Sequence, residues 1–434
     1  MRIVGAVLEQ SGRERPYARS RPISISELEL DDPGPTELLI EIEVAGICHS
    51  DLSVVNGDRP RPLPMLLGHE AAGTVVTAGR EVEDLHPGQR VVMTFLPRCG
   101  VCRQCQTDGR LPCARGSEAN AEGRLLTGRR LTRGGKPIQH HLGVSAFATH
   151  AVVDRRSVVP VPSDTPPEVA ALLGCAVLTG GGAIVNAARP TPGDSIAVVG
   201  LGGVGMAALL VAKALGVGAV IGIDSQPEKL EQARLLGADR TLGPDEAIRQ
   251  KLRAEVVIEA AGHPRAFETA VEITAPGGST TTVGLPPASA RSTISPLGLT
   301  AEARIIQGSY LGSAVPERDI PLFAQMWRDG RLPVEALISA TTTLDRINEA
   351  MDTLAEGRAV RQLIRFGGSA CRNRSGLGSA ASPDRGHGIR PQVEAAEQLG
   401  VEGDDDRRQR HQDRADRHRQ DEPDRRQNAG GERD

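Results

Sequence analysis

The chain has 434 residues, with 51 Lys+Arg against 55 Asp+Glu and a formal net charge of −4. That length predicts two domains plus an appendage, and the charge excludes a basic field for nucleic acid. No apolar run of about 18 residues is present to span a membrane, and no signal-peptide pattern opens the chain, so the expected location is the cytoplasm.

From residue 1 to about 90, short β-rich runs alternate with Gly and Pro, as at 38–44 (LLIEIEV), 73–76 and 90–95, which predicts a β-dominated lobe. Residues 97–143 are rich in Cys, Arg and Gly and read as irregular. A strand is predicted at 151–154 and a helix from about 167. The pattern changes near 194. SIAVVG reads as a buried strand and GMAALLVAKALG as the helix after it, and AVIGID with PEKLEQARLLG repeats the pair. EVVIEAAG, STTTVGLP and ARIIQGSYLG continue the rhythm, which predicts a doubly wound parallel sheet covered on both faces. Residues 316–366 read as a helix–strand segment ending in VRQLIRF. Beyond 367 large apolar residues are too few to offset conformational entropy, so 368–434 is expected to be a disordered tail.

In a reducing compartment the seven cysteines read first as metal ligands or catalytic groups. GICHSD at 46–51 and GHEAAG at 68–73 supply a thiolate and an imidazole, Cys48 and His69, and Cys175 lies about a hundred residues on. A catalytic zinc keeps three protein ligands and one open position, and these three would supply a Cys2His set. Cys99, Cys102, Cys105 and Cys113 are spaced C-x2-C-x2-C-x7-C, as suits a closed structural zinc site; an iron–sulfur cluster is the competing reading. Cys371 falls in the tail.

Gly200, Gly202, Gly203, Val204 and Gly205 belong to a G-x-G-x-x-G turn between a predicted strand and a predicted helix. Gly200 permits the turn, Gly202 lets the backbone approach a pyrophosphate, and Gly205 allows close helix–strand packing, with the helix N-terminus facing the phosphates. Asp224 follows 19 residues after Gly205, at the spacing of a ribose-binding carboxylate, which favours NAD over NADP.

GHEAAGTVVTAGREV at 68–82, with GICHSD, the four-cysteine segment and GLGGVG in the same order, resembles the zinc-containing medium-chain alcohol dehydrogenases over about residues 1–367. Residues 123–153 are most similar to the liver-type and class III (glutathione-dependent formaldehyde) enzymes. The resemblance implies a GroES-like catalytic domain at 1–176 with a structural zinc lobe at 97–116. A Rossmann domain binding NAD would follow at 177–311, and the chain would return to the catalytic domain at 312–367. It implies two zinc ions per chain, a small alcohol or aldehyde substrate, and a homodimer or homotetramer.

The resemblance also assigns roles. Cys48, His69 and Cys175 would hold the catalytic zinc, Asp51 would orient His69, Glu70 would lie close to the metal, and Ser50 would take the alcohol proton. His49 and Arg361 would contact the pyrophosphate, Asp224 and Lys229 the adenosine ribose, and Thr179 would lie near the nicotinamide. Phe95, His141 and Leu285 would line the substrate pocket, with a packing role for His141 as the alternative. Two positions depart from the pattern. Ser53 replaces the relay histidine of the liver-type enzymes, and Ser117 replaces an arginine that class III enzymes use on the glutathione adduct. A thiol–formaldehyde adduct gripped by the basic loop at 124–136 is the second reading within the enzyme class, and a non-catalytic nucleotide-binding protein the reading outside it.

Overall fold

The computed structural model describes residues 1–367 of the chain; the expected disordered tail at 368–434 lies outside the described residues. The strand Glu37–Ile47 is the spine of one antiparallel-dominated sheet. Glu41 and Glu43 are its two half-exposed positions, and the apolar residues alternating with them face the core. Along one edge it pairs with Glu70–Ala78. Along the other it pairs with His150–Asp154 over its first half and with Arg361–Arg365 over its second. A second β-sheet runs Lys136–Pro137, Leu131–Arg133, Ile23–Leu30, Arg2–Leu8, Met65–Leu66 and Gln139–His140.

The third sheet is wholly parallel. Its spatial order is Arg240–Leu242, Val220–Ile223, Ile196–Val199, Ala254–Glu259, Thr274–Thr282 and Ile305–Gly308. In chain order that is 3-2-1-4-5-6, the doubly wound arrangement in which ligands bind beyond the carboxyl ends of the central strands. The first strand, IAVV, is buried at all four positions, as a central parallel strand must be. Helix Gly203–Leu215 follows it, buried over most of its length and ended by Gly216 in the left-handed region at φ 65°. The helices Pro167–Leu173, Pro227–Leu235, Pro244–Arg249, Pro264–Glu272, Pro296–Ala301 and Pro316–Arg328 all start on proline. Its missing N–H is one of the helix-start donors that need no partner.

Residues 97–143 are less irregular than expected: Arg103–Gln106 and Ala114–Ala121 are helical. The second is capped by the Cys113 sulfur, which accepts from the Gly116 N–H, so a side chain taken as a metal ligand also starts a helix. Helix Ala176–Gly182 runs on into a π-helical stretch, Ala183–Ala188. One apolar core joins this segment and Pro167–Leu173 to helix Gly203–Leu215 and the parallel sheet, and it reaches Cys48 and Phe95. Among the described residues no single helix is long and apolar enough to cross a membrane.

Candidate active site

The strand Glu37–Ile47 ends at Cys48, which caps helix His49–Val55. Asp51 reaches back so that its Oδ2 accepts from the Cys48 N–H at 3.1 Å, while its Oδ1 meets His69 Nδ1 at 3.0 Å. One carboxylate therefore closes a helix start and fixes a ring, leaving His69 Nε2 to point at Cys175 Sγ, 3.5 Å away. Gly68 sits at φ +95°, and a Cβ there would lie 2.4 Å from the Phe147 amide nitrogen, so the glycine of GHE lets the backbone turn the histidine inward. Cys175 enters from the start of helix Ala176–Gly182, and its Sγ lies 3.9 Å from Cys48 Sγ.

These distances can be set against a tetrahedral ion. With Zn–S near 2.3 Å and Zn–N near 2.05 Å, sulfurs would stand about 3.8 Å apart and sulfur and nitrogen about 3.6 Å. The 3.9 and 3.5 Å observed here fit. The ligand atoms of Cys48, His69, Glu70 and Cys175 all lie within 4.8 Å of one another, and the same holds for Cys99, Cys102, Cys105 and Cys113. In that second cluster Cys113 Sγ accepts from the Cys99 and Gly116 amides, both at 3.3 Å. Backbone donation led by the Cys105 N–H lowers Cys102 to about 6, a thiolate environment.

Electrostatics in the first cluster follow from burial. Donation from the Cys175 thiol holds Cys48 well below the thiol range and pushes Cys175 up, as for one proton shared by two sulfurs. Burial opposes charge on His69, but the Asp51 carboxylate outweighs it and raises its pKa. Burial lifts Glu70 to about 7 against the pull of Arg361. Glu70 Oε1 stands 3.5 Å from Arg361 Nε, both residues being buried, yet neither Glu70 oxygen nor Arg361 Nε and Nη2 finds a hydrogen bond. Buried polar groups left so need a partner, and a cation beside the carboxylate and an anion beside the guanidinium would fit that need. Gly46 lies opposite Glu70 in the strand pair, and a Cβ there would stand 2.5 Å from Glu70 Oε1, so this glycine makes room for the carboxylate.

A cleft of about 1230 Å³ brings most of the sequence-derived residues together. Cys48, His49, Ser50, Phe95, Cys175 and Thr179 line it, as do Gly200, Gly202, Gly203, Val204, Asp224, Lys229, Leu285 and Arg361. A Cβ on Gly202 would meet nothing within 4 Å, so the loop leaves open space there. One on Gly205 would stand 1.9 Å from the Gly200 carbonyl oxygen, and one on Gly203 2.5 Å from Arg361 Cζ. Asp224 Oδ2 accepts from the Leu201 N–H at 2.7 Å and Oδ1 from the Gln226 N–H at 2.9 Å, which anchors the carboxylate at the end of its strand.

Asp51, His69, Glu70 and Gly205 lie behind the wall of the cleft. So does His141, and the expectation that it lines the substrate pocket is corrected. Its ring is buried, with Nε2 3.4 Å from Asp51 Oδ1 and Nδ1 3.4 Å from Met65 Sδ, and burial lowers its pKa to about 3. It packs behind His69 as a neutral ring. Among the lining residues that the sequence reading did not single out are Arg59 and Tyr310, and Ser53 lines the cleft as well. Tyr310 forms an edge-to-face pair with Phe95 at 5.9 Å, and Phe95 another with His69 at 5.5 Å. The signal for Tyr310 was its place at the carboxyl end of the sixth parallel strand. Ser53 donates its hydroxyl to the His49 carbonyl oxygen at 2.8 Å.

Residues 34–163 match the family described as "Alcohol dehydrogenase GroES-like domain", and 203–327 match "Zinc-binding dehydrogenase". The fold is similar to that of an alcohol dehydrogenase zinc-binding domain protein from Burkholderia ambifaria, with TM-score 0.78 and 29% identity over 85% of this chain and 100% of that one. Benzyl alcohol dehydrogenase from Acinetobacter calcoaceticus gives 0.77 and 28% over 85% and 100%. A zinc-binding dehydrogenase from Sinorhizobium meliloti bound to NADP gives 0.68 and 25% over 84% and 100%. With a GroES-like part, a Rossmann sheet and a buried cysteine–histidine cluster on the cleft between them, the chain belongs to the zinc-binding, medium-chain alcohol dehydrogenase family of oxidoreductases.

Proposed function

We propose that this protein is a zinc-dependent, NAD-linked dehydrogenase that interconverts a primary or secondary alcohol with its aldehyde or ketone. The observation that carries the reading is the meeting of Cys48, His69 and Cys175 at tetrahedral spacing, beside a cleft that the glycine turn also lines. In this reading those three residues hold a catalytic zinc and the four lobe cysteines a structural one, two ions per chain. Residues 1–176 and 312–367 form the catalytic domain and 177–311 the dinucleotide domain. That division is supported by the parallel strands falling between 196 and 308, and by Ile338–Thr342 and Arg361–Arg365 joining the sheet of Glu37–Ile47.

When bound, zinc supplies a Lewis acid that lowers the pKa of a hydroxyl at its open position, and nicotinamide supplies the hydride acceptor. The chain's own residues do the rest. Ser50 Oγ, on the cleft, takes the substrate hydroxyl proton. Ser53 offers no imidazole and its hydroxyl is held by His49, so the proton passes from Ser50 to water in the cleft. Phe95 and Leu285 form apolar walls. Gly200, Gly202, Gly203 and Val204 receive the pyrophosphate at the helix start, with His49 and Arg361 beside it. Asp224 and Lys229 hold the adenosine ribose; a 2′-phosphate would meet the Asp224 carboxylate, so NAD is preferred to NADP. Thr179 abuts the nicotinamide, Asp51 orients His69 and Glu70 stands next to the metal.

The thiol-dependent formaldehyde reading gains nothing from the basic loop at 124–136. Arg130 pairs with Glu37, Arg133 with Glu9 and Arg124 with Glu122, and none of these arginines lines the cleft. We further propose a cytoplasmic homodimer or homotetramer; the strand Ile305–Gly308, at the edge of its sheet among the described residues and with Ile305 exposed, supports association. The test is metal analysis of the purified protein together with an alcohol and aldehyde panel, run with NAD+, with NADP+, and with formaldehyde plus thiols. Two zincs and thiol-independent alcohol oxidation with NAD+ are expected. One zinc and no turnover, or turnover only with a thiol, overturns the reading.

A further inference from the structure

The segment that follows helix His49–Val55 reads DRPRPLP, and its burial alternates: Arg59 and Arg61 are half-buried while Pro60 and Pro62 are exposed. Both arginines are thus turned inward on a chain that the prolines stiffen, so presenting them loses little conformational freedom. The segment is tied down by the Arg59 N–H, which donates to the Ser53 carbonyl oxygen at 2.8 Å. Arg59 lines the cleft that Cys48, Ser50, Phe95 and Tyr310 also line. The nearest acid in sequence, Asp58, is engaged by the Asn56 side-chain amide at 2.6 Å. Among the described residues neither Arg59 nor Arg61 has a carboxylate partner.

An arginine held half out of water without an acid is a standing site for an oxyanion, because its planar fork matches a carboxylate. The guanidiniums are felt deeper in the site. Burial raises the Tyr310 phenol, and the nearby Arg59 and Arg61 guanidiniums oppose that rise while the Cys175 sulfur adds to it. Arg61, which does not itself line the cleft, is lowered by burial and by Arg59, two like charges close together. Such a pair is relieved by a bound anion.

We propose that Arg59 on the cleft wall, with Arg61 close beside it, recognises an anion, so that the alcohols this site favours carry a carboxylate across an aromatic spacer from the hydroxyl. The proposal rests on the alcohol dehydrogenase reading and names its substrate class. Phe95 and Tyr310 would flank the spacer, and the carboxylate would reach the arginines while the hydroxyl faces Cys48, His69 and Cys175.

The experiment compares kcat/KM for 4-(hydroxymethyl)benzoate and benzyl alcohol in the zinc-loaded full chain with NAD+. The variants are Arg59→Ala, Arg61→Ala, their double, and Arg59→Lys. A charge-assisted contact of this kind predicts a preference for the carboxylate of roughly 10- to 100-fold. It should fall to about one in the double variant, be partly kept by Arg59→Lys, and shrink as salt is added. Calorimetric titration of benzoate into the NADH-saturated protein gives a readout independent of turnover, with binding lost in the double variant. Equal use of both alcohols, or benzoate binding that ignores the arginines, overturns the proposal. So does weakened NADH binding in Arg59→Ala with benzoate binding unchanged. If neither alcohol is oxidised, the dehydrogenase reading fails, and the benzoate titration alone decides the anion wall: arginine-dependent binding supports it, anything else overturns it.

Discussion

Gly202→Ala separates what the glycine turn does for binding from what it does for folding. Gly202 has φ −78°, a value alanine adopts freely, and its added methyl would meet nothing within 4 Å. The unliganded fold should therefore tolerate the change, and reduced freedom of the unfolded chain would stabilise it by about 0.4–1 kcal/mol. The methyl fills the space through which a pyrophosphate would approach the helix start. Losing one charge-assisted amide–phosphate hydrogen bond costs about 1.5–3 kcal/mol, or roughly a 10- to 150-fold weaker Kd for NADH. Gly205→Ala is the control. Its Cβ would stand 1.9 Å from the Gly200 carbonyl oxygen, so helix Gly203–Leu215 must move off its strand at about 1–3 kcal/mol or more. Thermal unfolding of the unliganded variants and fluorescence titration with NADH read the two effects. A Gly202→Ala protein that unfolds as early as Gly205→Ala, or binds NADH as tightly as the parent, refutes the reasoning.

Three further outcomes are expected. Cys48→Ala or His69→Ala should abolish alcohol oxidation and remove one zinc per chain by elemental analysis, while NADH titration stays as in the parent protein. Cys113→Ser should remove the other zinc and lower the thermal midpoint, because the sulfur also accepts from the Cys99 and Gly116 amides. Asp239 accepts from the Val220 N–H, which with Lys213 lowers its pKa. A depressed carboxylate stabilises the fold above its unfolded pKa, near 4, and loses that contribution as pH falls through the lower folded value. Asp239→Asn should therefore be less stable than the parent at neutral pH by a modest amount, given a half-exposed side chain, and the gap in denaturant midpoint should close on acidification.

The parallel sheet was legible because its strands are continuous apolar runs. IAVV and VIGI are buried at every position, and a glycine turn marked where the first helix begins. The helices Pro244–Arg249, Pro264–Glu272 and Pro296–Ala301 went unread because they are short and their prolines look like breakers. Proline at a helix start is the opposite signal, and six helices among the described residues use it. In the candidate site, ligand-type residues announce themselves by chemistry, so Cys48, His69 and Cys175 could be named without knowing the path of the chain. Pocket walls do not. His141 carries a chemistry-bearing side chain but turns behind His69, whereas Arg59, in a proline-rich stretch that the sequence analysis did not single out, lines the cleft. Only the backbone path decides between those two fates.

That path also explains why an arginine near the end of the described chain belongs with a motif near its beginning. Arg361–Arg365 pairs antiparallel with the last residues of Glu37–Ile47, Gln362 opposite Ile47, so Arg361 emerges beside Cys48 although 313 positions separate them. From there the guanidinium spans two elements. Its Nε faces Glu70 at 3.5 Å, and its Cζ occupies the space a side chain at Gly203 would need, at the start of the helix proposed to receive the pyrophosphate. The buried carboxylate and the helix start are thus joined through one cation whose Nε and Nη2 make no hydrogen bond among the described residues. A phosphate arriving at the helix would compete with Glu70 for that cation and leave the carboxylate to face the sulfurs alone. The two halves of the cleft are therefore in electrostatic contact before any substrate enters, and a strand pairing between distant parts of the chain creates that contact.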